Sequence, residues 1–195
     1  AQSVCHASGI AGAFSTTRDH EWAEWKKGEP TNKVRDQELH FVTKLAEDLG
    51  ADPKIVVSEM YSPPRVTGAA RRLKNLGITP GFAMDLTTED EHGIPWDFDK
   101  LERRQEARRR IREQKPMLLI GSPMCTRFCS WQALNDVKRD PEEVQREHIR
   151  AVIHLEFMSE LYREQVQGGR YFLHEHPTGA TSWKEACIEE VEGLT

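Results

Sequence analysis

No stretch of this 195-residue chain approaches the roughly 20 consecutive apolar residues of a membrane-spanning helix, so we expect no membrane partner. Cysteine is sparse. Cys5, Cys125, Cys129 and Cys187 are too scattered for a dense disulfide framework, which points to a reducing, intracellular compartment, nucleus or cytoplasm. Aromatic residues make up only 8%, with three Tyr, and 37% hydrophobic against 30% charged residues describes a water-soluble chain with a modest apolar supply. Neither sign of charge dominates. A net charge of −5 gives no overall pull toward nucleic acid, so any such contact has to be local. The opening "AQSVCHASGIAGAF" has no basic start and no continuous apolar stretch, which argues against a signal peptide. It also lacks an initiator Met, and we expect the rest of a longer polypeptide to be a partner. No internal repeat is found.

What is present is a domain's worth of alternating periodicity. The length suits about one domain, or one and a half, with a real core. Composition changes near residue 35, which divides a polar arm or linker (1–34) from a folded unit (35–195). In that unit, apolar spacing predicts a helix from about Asp36 to Leu49, a strand over 54–61, a basic helix around Ala69 to Asn75 and a strand over 81–86. A solvated helix follows over 97–114, with Asp99–Arg103 and Glu106–Arg110 spaced as i,i+4 pairs. Its arginine run is expected to be an exposed face rather than a phosphate site. "PMLLIGS" (116–122) is a buried strand. A long helix over 141–167 is opened by Asp140 as N-cap and Pro141, a strand spans 170–177, and a last helix runs from Ser182 to Val191.

Strands alternating with helices imply a mostly parallel sheet, because parallel neighbours need long crossovers. The expected fold class is therefore α/β, a Rossmann-like, doubly wound sheet with helices on both faces. Ligands of such sheets sit outside the carboxyl ends of the strands. Ser62 to Arg65, Asp85, Cys125, Cys129 and Glu175 to Pro177 all fall at predicted strand ends. Glu59 lies inside an apolar strand, where an unpaired carboxylate is costly. Asp85 has a plainer reading as the cap of a turn, and Cys125 as a small apolar filler.

Four of these stretches together resemble cytosine-C5 DNA methyltransferases. "PMLLIGSPMCTRFCS" is similar to that family's strand and catalytic loop, with Cys125 at the nucleophile and Phe128 three residues beyond. "YFLHEHP" is similar to its next strand, with Glu175 at the acidic position. "VVSEMYSPPRVTGAARRL" resembles the strand, loop and helix that open the cofactor site, and "GFAMDL" the strand whose terminal acid grips the ribose. The resemblance covers about residues 54 to 180, in the family's order. It implies S-adenosylmethionine as cofactor and DNA as partner. It also implies Cys125 as the thiolate that adds to the base, Glu175 as its hydrogen-bonding acid, and Glu59, Ser62, Arg65, Asp85 and Pro123 around the cofactor. The chain departs from the family in three places. Ser62-Pro63-Pro64-Arg65 replaces a glycine-rich loop, Met124 replaces a proline, and His176-Pro177 follows Glu175 in place of Asn-Val.

Two other readings use the same residues. Cys125 and Cys129, with His174 and His176 on the next strand, supply two thiols and two imidazoles for a structural zinc site. Alternatively the domain is a non-catalytic nucleic-acid-binding or structural module of a larger, mobile-element polyprotein, consistent with a proline-containing cofactor loop that lacks N–H donors.

Overall fold

The computed structural model describes residues 2–6, 40, 43–44, 55–72 and 77–194. Its centre is a sheet of five strands: β1 (Gln2–His6), β2 (Ile55–Met60), β3 (Ile78–Met84), β4 (Leu118–Gly121) and β5 (Tyr171–Pro177), in the order β1-β5-β4-β2-β3. β5, β4, β2 and β3 are mutually parallel, and β1 pairs antiparallel with β5 at one edge. This is the α/β, Rossmann-like arrangement expected from the alternating periodicity.

β4 is apolar throughout and buried, and the first residues of β2 and β5 are apolar, because both faces of the sheet are covered. Alternate side chains divide between two cores. Val57, Leu118, Ile120 and Leu173 pack on one face with Val66, Ala69 and Ala70 of helix α1 (Val66–Arg72). Met60, Leu119 and Phe172 pack on the other, against α2 (Leu101–Gln114) and α4 (Pro141–Gln167), which contribute Ala107, Ile111, Phe157, Leu161 and Tyr162. A short α3 (Ser130–Asp136) precedes α4, and α5 (Ala186–Glu192) follows β5.

Local chemistry sets the ends of α4 as predicted. The Asp140 carboxylate accepts the Glu142 N–H at 3.1 Å, Pro141 fills the first turn, and Gly169 turns the chain away at φ +67°. Elsewhere the boundaries differ. α1 begins at Val66, earlier than expected, because Glu59 receives its first amides. β3 starts at Ile78 and ends at Met84, leaving Asp85 just beyond the strand. α2 starts at Leu101 because Asp97 accepts the Asp99 N–H and makes a turn of 97–100. The last helix is split by Glu185 into a 3-10 turn (Thr181–Lys184) and α5. Residues 2–6, expected within a polar arm, form the edge strand. Of the predicted 36–49 helix only His40, Thr43 and Lys44 are described, and they are helical; the rest lies outside the described residues.

The arginines of α2 are matched by carboxylates except Arg104, which donates to the Phe98 and Asp99 carbonyls, and all but the buried Arg103 fit the expected structural face. Glu106–Arg110 pairs as expected at 2.8 Å. Asp99–Arg103 does not form: Arg103 reaches Asp90 at 2.8 Å, and Asp99 binds Arg150. Arg108, Arg109 and Arg112 pair with Glu160, Glu113 and Glu164.

Topology then locates the ligand edge. From β2 the chain moves outward to β3 through α1, then returns past β2 through α2 to β4, so the order reverses between β2 and β4. The carboxyl ends of those two strands form the switch point where open α/β sheets bind ligands. Ser122 N–H donates to the Met60 carbonyl at 3.1 Å across it. Gly121 closes β4 directly beneath α4, where a Cβ would overlap the Tyr162 hydroxyl and the Met158 methyl. Gly121→Ala is therefore expected to cost about 1–3 kcal/mol by overpacking, read as a lowered urea midpoint at unchanged slope.

Candidate functional site

β4 and β5 are parallel neighbours in a register that sets Gly121 opposite His174. Both strands end at the same edge, which brings Cys125, from the loop after β4, and Glu175, near the end of β5, together. Cys125 is held by a tight 3-10 turn (Thr126–Phe128) in which the Phe128 N–H donates to the Cys125 carbonyl at 3.0 Å. Phe128 anchors this turn, buried against the rings of His148 and His176 at 6.0 and 6.2 Å. Arg127 grips Asp136 of α3 through two hydrogen bonds of 3.0 and 2.6 Å. The Cys125 thiol is half-buried. Burial pushes its pKa up, and the Glu175 carboxylate adds to the rise. Cys129 is exposed and lies past the turn.

The two histidines of "YFLHEHP" face α4; His176 uses both ring nitrogens on protein partners, whereas His174 uses only Nδ1 and keeps Nε2 buried without a partner. His176 bridges the Pro123 carbonyl (2.8 Å, Nε2) and the Ser182 hydroxyl (2.6 Å, Nδ1). Nδ1 of His174 meets the Tyr162 hydroxyl at 3.0 Å. With both ring nitrogens engaged, His176 has none to offer a metal, so the zinc reading loses one of its imidazoles. No group of three His, Cys, Asp or Glu suited to a metal ion is found among the described residues.

The β2–β3 side carries the residues expected around the cofactor. Glu59, 1% exposed, turns inward. Its carboxylate accepts the Val66 N–H (3.0 Å), the Thr67 N–H (2.8 Å), the Thr67 hydroxyl (2.6 Å) and the Ser62 hydroxyl (3.3 Å). Glu59 therefore caps α1 from the strand below and is not a group facing a ligand. Burial raises its pKa against these hydrogen bonds. Ser62 is buried, and its hydroxyl donates to Glu59 and to the Pro63 carbonyl at 2.8 Å. The Arg65 N–H also turns back to the Pro63 carbonyl, at 2.7 Å. Asp85 accepts the Thr87 N–H and hydroxyl on Oδ1 at 2.9 and 2.6 Å, the turn-capping role foreseen as its plainer reading. Asp85 is partly exposed, and no hydrogen bond to its Oδ2 is found among the described residues, whereas the first amides of α1 are already used by Glu59. Pro123 is buried and contributes its carbonyl to His176, not to this side.

Sequence spacing missed a second polar chain beside the switch point. Tyr61, the residue after β2, adopts φ +57°, unusual for an aromatic residue. Its hydroxyl meets His154 Nδ1 at 2.7 Å, and His154 Nε2 meets Asp99 at 3.0 Å, with Arg150 also on Asp99. The carboxylate of Asp99 only accepts, so Nε2 carries the proton and Tyr61 donates to Nδ1. The positive φ of Tyr61 is visible only in the backbone, so no sequence spacing pointed to this chain. On the other side of the edge, a cavity of about 470 Å³ is lined by Thr178, Thr181, Trp183, Lys184 and Glu192, in the turn that follows His176 and in α5.

Comparison with protein families, with characterised proteins and with solved structures gives no match for this chain. The class defined by topology is a Rossmann-like α/β domain, and its function has to be argued from the edge described above. No helix among the described residues is long and apolar enough to cross a membrane.

Two outcomes follow from these electrostatics. Because the Glu175 charge contributes to the raised thiol, Glu175→Gln lowers the Cys125 pKa while leaving it above the ordinary range through burial, read from the pH dependence of iodoacetamide alkylation at Cys125. The second concerns the histidines: His154, His174 and His176 are all depressed by burial, His176 to about 4 from 6.5. Each is neutral when folded and charged when unfolded below its ordinary pKa. Their stabilisation is full above about pH 6.5 and is lost as pH falls toward 4. His176 alone accounts for about 2 kcal/mol between pH 7 and pH 5. Urea unfolding at both values reads it, and His176→Gln removes that share of the loss.

Proposed function

We propose that the chain is an S-adenosylmethionine-dependent methyltransferase-like domain that acts on carbon 5 of cytosine in DNA, with Cys125 as nucleophile. The observation that carries this reading is the joint placement of Cys125 and Glu175 at the ends of two adjacent parallel strands, close enough for the Glu175 charge to act on the thiol. Carbon 5 of cytosine is not nucleophilic by itself. Addition of the Cys125 sulfur to carbon 6 makes it so, with the thiol proton passing to water as the S–C bond forms. Glu175 relays a proton from water to ring nitrogen 3, which offsets the charge that develops there, and takes it back when the ring is restored. Loss of the carbon 5 proton to water after methylation expels the thiolate and frees Cys125. Bound S-adenosylmethionine would supply the electrophilic methyl group, with Asp85 holding its ribose.

Burial is the larger cause of the raised Cys125 thiol pKa and the Glu175 charge the smaller, so a base seated against Glu175 offsets only the smaller part at the nucleophile. A duplex base has to leave the stack to reach it. Because most of the α2 arginines are paired with carboxylates, the proposal assigns nucleic-acid contact to the carboxyl edge; the 470 Å³ cavity beside it is lined by neither Cys125 nor Glu175.

A second reading, a non-catalytic binding or structural module of a larger polyprotein, is favoured by one observation. Pro63 and Pro64 have no N–H, and the Val66 and Thr67 amides are occupied by Glu59, so the cofactor loop has few donors left.

Titration calorimetry of the folded chain with S-adenosylmethionine separates the two, with micromolar binding expected for the methyltransferase. On DNA containing 5-fluorocytosine, where the carbon 5 substituent cannot leave, wild type and Cys129→Ser form a denaturation-resistant adduct and Cys125→Ser forms none. An adduct that persists in Cys125→Ser overturns the assignment of the nucleophile. A folded chain that binds neither S-adenosylmethionine nor DNA leaves the non-catalytic module standing.

A further inference from the structure

The period of β5 sets consecutive residues on opposite faces, so Glu175 and His176 point to different sides of one strand end. Glu175 is partly exposed, and His176 is 1% exposed beneath the nucleophile loop. The Pro123 carbonyl can only accept, so His176 Nε2 carries the proton in their 2.8 Å hydrogen bond. Nδ1 is then the acceptor, and the Ser182 hydroxyl donates to it at 2.6 Å. Ser182 therefore fixes the tautomer in which His176 can hold Pro123. Pro123 lies two residues before Cys125, and Phe128, whose ring meets His176 at 6.2 Å, lies three residues after it. The thiol is bracketed on both sides by a single imidazole. Ser182 is itself fully buried in the turn after β5, so the support is rigid.

We propose that His176 is a positioning residue for Cys125, holding the Pro123 carbonyl and the Phe128 ring so that the thiol and Glu175 are set at a fixed separation by one peptide unit of β5. The role in methyl transfer rests on the reading given above, while the geometric role does not.

The test uses the full chain with His176→Leu, His176→Gln and Ser182→Ala. Peptide-resolved alkylation of Cys125 by iodoacetamide over a pH series reads how the thiol is presented, whatever the reaction. The rate of adduct formation with 5-fluorocytosine DNA reads the same property within the methyl-transfer reading. His176→Leu is expected to form adduct about 100-fold more slowly, the scale of a misplaced reacting group, with S-adenosylmethionine affinity unchanged. Its Cys125 is expected to alkylate several-fold faster near neutral pH, as the loosened loop admits water to the thiol. His176→Gln retains an N–H for the Pro123 carbonyl and is expected to stay within about tenfold of wild type in adduct formation. Ser182→Ala moves both readouts in the direction of His176→Leu, by less.

A folded His176→Leu chain with the wild-type alkylation profile at Cys125 overturns the proposal. So does a glutamine variant no nearer to wild type than the leucine variant. Where His176→Leu does not fold, Ser182→Ala decides: an unchanged Cys125 profile overturns the role and a shifted one supports it. If wild type forms no adduct while Cys125 alkylation still follows His176, the methyl-transfer reading fails and the positioning role stands.

Discussion

The parallel pairing of β4 with β5 is the constraint on which the remainder of this molecule depends. Parallel strands finish at the same edge, so whatever follows β4 meets whatever closes β5. Their register, Gly121 against His174, requires Tyr162 of α4 to lie almost on the Gly121 backbone, where its hydroxyl donates to the Gly121 carbonyl at 3.3 Å. That close approach is possible only because residue 121 lacks a side chain. It also seats α4 deeply enough for Phe157, Leu161 and Tyr162 to fill the core beneath the strands.

Above that core, buried polar groups satisfy one another. Glu59 takes four donors from the loop and helix above it, and His176 takes one partner from each of two loops. Asp90 and Arg103 pair at 2.8 Å under the Trp96 ring, with the guanidinium 4.0 Å from its centroid. The Glu59 and His176 arrangements avoid the penalty of an unpaired buried polar group, whereas Arg103 keeps its Nε buried without a partner. Together they fix the loops at the carboxyl ends of the strands without engaging the side chains of Cys125 or Asp85. The edge is thus built from two layers: inward-facing groups that hold backbone, and outward-facing groups available for chemistry.

The two halves of this edge differ in character. The β4–β5 half presents a thiol and a carboxyl on well-anchored backbone. The β2–β3 half presents the turn-capping Asp85 carboxylate beside a proline loop whose neighbouring amides are internally consumed. Between them Tyr61, His154 and Asp99 tie the end of β2 to α4, so the halves share a support although their donor supply is unequal.

Much of the architecture was already legible in the residues. Asp140-Pro141 and Gly168-Gly169 bound the long helix by local capping chemistry, the change from period 3.6 to short apolar runs separates helices from strands, and both-face burial of those runs implies a parallel sheet. The placement of Cys125 just past a strand end, and of Glu175 on the next strand, followed from the same logic. What tertiary structure alone decided were the partners of charged and polar groups. Arg103 chose Asp90 over its i,i+4 neighbour Asp99, Glu59 became a helix cap instead of a ligand contact, and His176 found Pro123 and Ser182 rather than a metal. An i,i+4 spacing makes a surface pair available for only a few tenths of a kcal/mol. A partner that packing brings to a desolvated position interacts far more strongly. Local spacing therefore determined the elements, and burial determined which side chains met.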